Sequence, residues 1–462
     1  MNPRHNRILN LTGFWLLGLC NNYGYVVMLS AAFDLLKKDY HSDEQASQSS
    51  NQTTTCNPVS TGAVLIADII PSLSIKLIAP FLSLSTHFKV LLVITLSAAS
   101  FLLTALSLSP FMTYCGIVCA SLSSGLGEVT FLGYSSLFDP NVVSTWSSGT
   151  GGAGLLGSFS YAGLTSFGLS PRNTLLVMLI VPLLMAFTFW SLIVPPPKRN
   201  SEREPIHLSH SSSPDLEVLD DDKSSKLTLS FGEKILVLKK LLKFMIPLGL
   251  VYYFEYFINQ GLFEILYFAN TSLEHAEQYR WYQVIYQAGV LISRSSVNIF
   301  KIKYLWLLPI LQGLNVLLLL IQILSPFIPF IYIVFGIILY EGLLGGAAYV
   351  NTFYRISVES SPRHKEFSMS VTTLADSTGI MLAGFTSIPA HNALCFCNNY
   401  GYVVMLSATL DLLKKDYHSD EVIRTRVFST LTLQQTSQSS NQIITAGIKL
   451  FTMLVYLSLD LL

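Results

Sequence analysis

Charge is what this sequence has little of. Only 12% of its 462 residues are Asp, Glu, Lys or Arg, about half the ~25% of a soluble domain, which excludes an ordinary water-soluble protein. The 28 basic and 28 acidic residues cancel, so there is no basic footprint for nucleic acid. Cysteine is sparse too. Cys20, Cys56, Cys115, Cys119, Cys395 and Cys397 follow neither a zinc-finger spacing nor a disulfide framework; Cys115 and Cys119, one helical turn apart in an apolar run, read as core residues. There is no HExxH, and the nine histidines form no clustered boxes, so no metal site and no cofactor is expected.

What the chain has in quantity is apolar runs. Hydrophobic residues make up 51% and mean hydropathy is +0.50. Blocks near the ~20 residues needed to cross a bilayer recur, without the period-two alternation of a barrel. The expected fold is an all-α polytopic membrane protein of about eleven spans. They lie near 11–33, 59–82, 88–107, 111–138, 148–169 and 173–194, then 244–268, 281–300, 304–324, 327–350 and 367–388. Arg4 and Arg7 ahead of the first block imitate a signal peptide, but its length suits a retained helix. Pro195-Pro196-Pro197 opens a polar linker. The division is a six-helix bundle over 1–196, a partly disordered cytosolic linker over 197–243, a five-helix bundle over 244–396 and a tail over 397–462. Within the linker, LTLSFGEKILVLKKLLK (227–243) has the pattern of a basic amphipathic helix lying on the membrane. Two bundles joined by a long loop are the layout of major-facilitator transporters, which bind solute at the midplane between halves.

Lys and Arg set the orientation. The linker, Lys301, Lys303, Arg355, Arg363 and Lys365 fall on the side of the N-terminus, which is therefore expected in the cytosol. The opposite side receives the sequons at Asn51 and Asn270, both candidate glycosylation sites; the sequon at Asn10 falls on the wrong side and is expected to be idle.

Against this background the polar residues inside the apolar blocks stand out. A charge near a helix centre costs at least ~2.5–3.5 kcal/mol in lipid, so it faces a cavity, a partner or water. Ser121, Gly125 and Glu128 share one helix face, as do Glu255 and Asn259. Gln283, Gln287 and Arg294 align beside Tyr282 and Tyr286; Glu341 and Asp376 come from later spans, and Asp68 and Lys76 from the second. These charges are open to two readings. One is structural pairing: Arg294 with Glu255 or Glu341, and Lys76 with Asp68 or a backbone carbonyl, with Lys76 and Glu264 reaching an interface. The other is solute handling, because the acids outnumber the bases. Here Arg294, Glu255, Asn259, Gln283, Gln287, Tyr286 and Glu341 would bind a small polar solute, and Glu128, Glu255, Glu341 and Asp376 would carry a proton or cation. Arg294 offers a planar fork for phosphate or carboxylate.

Several stretches carry a family resemblance. GFWLLGLCNNYGYVVMLSAAFDLL (13–36), SSGLGEVTFL (123–132), SSGTGGAGLLG (147–157), EYFINQGLFE (255–264), QYRWYQVIYQAGV (278–290) and YEGLLGGAAYVNTF (340–353) resemble the battenin family of ceroid-lipofuscinosis membrane proteins, relatives of the major facilitators, over about residues 11–396. The resemblance implies a multi-pass protein of the lysosomal and late-endosomal membrane. Its implied work is export of glycerophosphodiesters, with effects on lysosomal pH and on basic amino-acid transport. A trafficking scaffold that meets cytosolic proteins through the linker is the alternative. Catalysis is not expected. Gly125-Leu126-Gly127-Glu128 is similar to the Gly-x-Gly-Asp of intramembrane aspartyl proteases, but the acid is wrong and no Tyr-Asp partner follows. SSGTGGAGLLG lacks the Lys-Ser/Thr ending of a nucleotide loop and reads as tight packing or a gating bend.

The chain departs from the family pattern at its ends. The acidic N-terminal tail and the C-terminal prenylation box are missing, and EREPIHLS only approximates a dileucine sorting signal. CNNYGYVVMLSATLDLLKKDYHSDE (397–421) repeats 20–44 except at Thr409 and Leu410. Near-identity of that kind reads as recent exon duplication or a gene-model artefact rather than an ancient fold repeat.

Overall fold

The computed structural model describes residues 3–44, 60–82, 84–195 and 229–416. Every regular element among them is helical: α1 (Pro3–Glu44), α2 (Ser60–Ile78), α3 (Thr86–Ala105), α4 (Pro110–Ser135), α5 (Asn141–Ser166), α6 (Pro171–Val177), α7 (Ile180–Phe187), α8 (Phe231–Phe257), α9 (His275–Ser295), α10 (Leu307–Leu324), α11 (Ile331–Glu359) and α12 (Pro362–Asp416). α6, α7 and a π turn (Thr188–Leu192) form one rod, and a second π turn (Ile258–Leu262) extends α8. The result is eleven rods in the six-then-five order expected.

The helix starts follow from local chemistry. Ser109 and Ser170 each precede a proline, and their hydroxyls accept from the amides of Met112 and Asn173. A hydroxyl at the cap satisfies a free N–H, while proline in the first turn has none to lose. Glu233 and Glu277 close capping boxes at α8 and α9.

Five described rods are apolar enough to cross a bilayer on composition alone: α3, α4, α6 with α7, α10 and α11. α1, α2, α5, α8, α9 and α12 fall outside that group, and of these α2, α5, α9 and α12 meet the opposite half. The first half meets the second where α2 and α4 touch α12, and where α5 touches α9 and α11. A helix shielded by its neighbours does not meet lipid along much of its length, so its sequence is free to be polar.

Small residues let these helices approach. Gly125 of α4 lies against Ser72 and Ile75 of α2, where an added Cβ would stand 2.7 Å from the Ser72 hydroxyl. One turn earlier the Ser121 hydroxyl donates to the carbonyl of Asp68 and accepts from the amide of Ser72 at 2.9 Å. Those two groups would bond each other in an unbroken helix. The hydroxyl thus inserts into the ladder beside Pro71, a cause of helix bending. In the glycine run, α5 is a continuous helix in close contact with its neighbours: Gly149 abuts the backbone of α1 at Trp15, and Gly151 abuts α9 at Leu291 and Arg294.

Three expectations need correction. Phe231 to Lys243 does not lie along the membrane as a separate helix; it is the first part of α8 and runs without interruption into the seventh rod. Its buried residues Val237, Leu241 and Phe244 keep helical spacing with Pro247, Leu248 and Val251, so one apolar stripe serves both parts. The eleventh rod does not end at 388, since α12 continues to Asp416 through the start of the duplicated segment. Cys115 and Cys119 are partly buried and not core residues. Asn51, the linker from 196 to 228 and the tail from 417 onward lie outside the described residues.

Candidate functional site

The buried charges converge between the halves. α2 runs past the middle with Asp68, Ser72 and Lys76 on one face, at four-residue spacing. α4 faces it with Ser121 and Glu128, and α12 closes the other side with Asp376 and Ser377. With Tyr25 of α1, Tyr252 and Tyr256 of α8, Arg294 of α9 and Tyr349 of α11, they line a cavity of about 80 Å³. A single water needs ~10–15 Å³ of such space, so the cavity suits several waters or a small polar group.

Lys76 is the hub of the cluster. It is 3% exposed. Its Nζ stands 2.6 Å from Glu128 Oε2 and 3.5 Å from Asp376 Oδ1, and donates to Ser377 Oγ at 2.6 Å. The ammonium therefore neither reaches an interface nor pairs with Asp68. Glu128 belongs to the first half and Asp376 to the second, so one cation ties the halves together. Asp376 also accepts the amide of Ser377 at 2.8 Å. Asp68 lines the same cavity and joins no salt bridge among the described residues.

Arg294 forms the second centre. Its Nη1 donates to Thr150 Oγ1 at 2.6 Å and its Nη2 to Tyr252 OH at 2.7 Å, one partner from each half. The guanidinium lies over the Tyr349 ring, 4.2 Å from the centroid, and its Nε is buried with no hydrogen-bond partner among the described residues. It forms no salt bridge with Glu255 or Glu341, the two partners expected. Tyr349 connects the centres. Its hydroxyl donates to Glu128 Oε1 at 2.5 Å and accepts from Trp146 Nε1 at 3.3 Å, while its ring supports the guanidinium.

The remaining candidates sit around this core rather than on the cavity wall. Glu255 accepts a hydrogen bond from the Tyr286 hydroxyl, and both are buried within the second half. Glu341 and Asn259 are buried there as well. The Gln287 side chain packs against Gly154, across the contact between halves. Gln283 is half-buried and donates to Tyr279 OH at 3.4 Å. Glu264 is half-buried just past the π turn, and its carbonyl meets the His275 ring at 2.8 Å. Asn270 is exposed in the loop before α9 and donates to the Pro329 carbonyl at 2.7 Å. Asn10 fastens α1 to the end of the sixth rod: its side-chain nitrogen donates to Val194 O at 3.0 Å and its side-chain oxygen accepts from Val194 N at 2.8 Å.

Thr150, Tyr252, Tyr349 and Trp146 join the site without having stood out in the sequence. Each is of a type common in helix cores, so type alone gives no signal. A weak one existed for Thr150, the polar member of an otherwise glycine-rich run.

Comparisons with known proteins agree with this architecture. Residues 12–396 match the sequence profile of the family described as CLN3 protein. The chain is 50% identical over 399 residues to battenin of Canis lupus familiaris, covering 84% of this chain and 91% of that protein. It is 37% identical over 404 residues to protein BTN1 of Yarrowia lipolytica, covering 86% and 96%. In fold it is similar to the human organic anion transporter MFSD10 (TETRAN), with a TM-score of 0.55 at 14% identity over 88% of this chain and 99% of that one.

Proposed function

The chain belongs to the CLN3 protein family, and on that premise we propose that it carries a small polar solute across the lysosomal or late-endosomal membrane by alternating access between its halves. The observation that carries this is the clasp on Arg294, held by Thr150 from one half and Tyr252 from the other at the wall of a buried polar cavity. A guanidinium stays charged at any working pH. With Nε unpartnered and the other nitrogens bonded only to neutral hydroxyls, it is fit to take a phosphate or carboxylate in their place. A cationic end of the same solute would be held by Asp68, Glu128 or Asp376. This suits a glycerophosphodiester with a charged head or a basic amino acid.

Hydroxyls are weaker partners for a guanidinium than an anion is, because an anion adds opposite-charge attraction and can accept two parallel N–H bonds. An arriving anion therefore displaces Thr150, Tyr252 or both, and loss of the Thr150 bond loosens the contact between halves. The carboxyls of Glu128, Glu255, Glu341 and Asp376 carry the coupling proton or cation, with Glu128 and Asp376 at the cavity supplying the link to lysosomal pH. The contacts between halves from Lys76–Asp376 to Phe81–Phe367 and the Ser370–Val129 bond lie at the level of the cluster or toward the N-terminus. With that terminus in the cytosol, these contacts would close the cytosolic side of the cluster, and Gln287 against Gly154 adds a contact on its other side.

Reconstituted protein tests the proposal. Uptake of labelled glycerophosphodiester or basic amino acid into proteoliposomes should require the protein and respond to an imposed pH gradient, and Arg294→Ala should abolish it. Normal flux by Arg294→Ala at normal protein level would overturn the anchor role.

A further inference from the structure

Inside the second half, away from the central cavity, five more polar side chains are shut in: Glu255, Asn259, Gln312, Asn315 and Glu341, from 0 to 6% exposed. None of them lines the cavity between the halves. Among the described residues, Glu341 Oε1 and Oε2, Glu255 Oε2, Asn259 Oδ1, both terminal atoms of Gln312 and Asn315 Nδ2 have no hydrogen-bond partner. Unpaired buried groups of this kind are costly and rare. Here they fall in one region.

The helices explain the grouping. At Gly345, α11 runs so close to α8 that an added methyl would overlap the Glu255 carboxylate. Asn259 lies one turn beyond Glu255 on α8, and Glu341 lies one turn before Gly345 on α11. The two helices are antiparallel, so Asn259 and Glu341 come to the same level. Gln312 and Asn315 belong to the buried stripe of α10, which packs on α8, on the π turn and on α11. A Cβ added at Gly313, beside Gln312, would stand 3.5 Å from the Phe254 ring, which sets α10 at the height of Glu255. Asn259 itself sits in the π turn, and π turns often mark functional sites.

The atoms say what the region takes. Five of the unpartnered atoms are oxygens that accept: two on Glu341 and one each on Glu255, Asn259 and Gln312. Against these five stand two unpartnered donor atoms, Gln312 Nε2 and Asn315 Nδ2, and a proton on Glu341 would add a third, still fewer than the oxygens. A hard cation collects several carboxylate and amide oxygens at once. A divalent ion of this kind calls for more carboxylate than is present: one oxygen of Glu255 is taken by Tyr286, and Glu255 also shares the field of Arg294. We propose that Glu341, Glu255, Asn259 and Gln312 form a site for one monovalent metal cation of about sodium size, buried within the second half and separate from the solute cavity, with Asn315 positioning Glu341 or Gln312. Broken helical backbone beside such oxygens is a recurrent way for transporters to hold sodium.

Equilibrium binding of radioactive sodium to the purified full-length protein, with choline as the balancing cation and no solute present, tests this. The wild type should bind sodium saturably at one ion per chain. Glu341→Gln should abolish binding, and Gln312→Leu should weaken it by about tenfold, the equivalent of one lost charge-assisted contact. No saturable sodium binding by the wild type, or unchanged binding by Glu341→Gln, would overturn the site. The wild-type measurement decides even if a variant does not fold. Stability that responds to pH without sodium binding would assign the region to a proton and would likewise overturn it. Failure here leaves the transport proposal standing, whereas sodium binding without solute flux removes that proposal and not this one.

Discussion

At the scale of single residues, the interior is governed by how few cations serve many carboxylates. Lys76 holds Glu128 at 2.6 Å and Asp376 at 3.5 Å, so Lys76→Met leaves two acids buried without their counter-charge. Breaking a buried pair by removing one partner costs about 3–5 kcal/mol. The thermal midpoint in detergent should fall accordingly, and adding Glu128→Gln to Lys76→Met should restore part of the loss. An unchanged midpoint for Lys76→Met would contradict the buried pairing. Nothing in the order of residues points to these partners. Spacing along α2 shows that Lys76 and Asp68 share a face, whereas Glu128 and Asp376 reach Lys76 only through the packing of α4 and α12. Arg294 was legible as an isolated guanidinium in an apolar run; that its partners would be hydroxyls was not, because Thr150 lies 144 positions away.

At the scale of elements, the glycines decide how near the polar side chains come to one another. On α11, an added Cβ at Gly346 would stand 2.7 Å from the Val290 carbonyl. Gly346→Leu should therefore force α9 and α11 apart, at about 1–3 kcal/mol for overpacking. Because α9 bears Arg294 and α11 bears Tyr349, solute flux should fall by more than the loss of folded protein accounts for. Flux per folded molecule equal to the wild type would show that the spacing is immaterial. The rods themselves were readable, because long apolar runs leave few alternatives to a spanning helix. Their ends were less so. The run 227–243 has a good amphipathic pattern, and whether it lies flat or continues into α8 depends on Pro247 being tolerated inside the helix. That tolerance comes from neighbouring helices and not from the pattern.

At the scale of the whole molecule, the halves meet near the N-terminal side, where an added Cβ at Gly133 would stand 2.5 Å from the Ser370 hydroxyl. A Gly133→Cys, Ser370→Cys pair should cross-link on oxidation and stop flux, and reduction should restore it. Continued flux after complete cross-linking would mean that the halves do not part there. The proposed orientation has its own check: Asn270→Gln should remove a glycosidase-sensitive mobility shift, which requires that the loop before α9 face the lumen. A shift unaffected by that substitution would place the glycan elsewhere. The two-half plan was legible because a polar linker interrupts the apolar runs. The cavity was not, since its walls come from seven helices that sequence order does not bring together.

The way Lys76 divides its attention has a further consequence. Lys76 and Glu128 travel together in the first half, so they remain mutually neutralised however the protein moves. Asp376 rides with the second half and is stranded whenever the two separate. On the alternating-access reading proposed above, an unloaded molecule that rocks open leaves that acid without its ammonium, whereas one that has captured a positively charged cargo or a proton does not. On that reading a single shared ammonium would penalise idle turnover and hold slippage without freight in check.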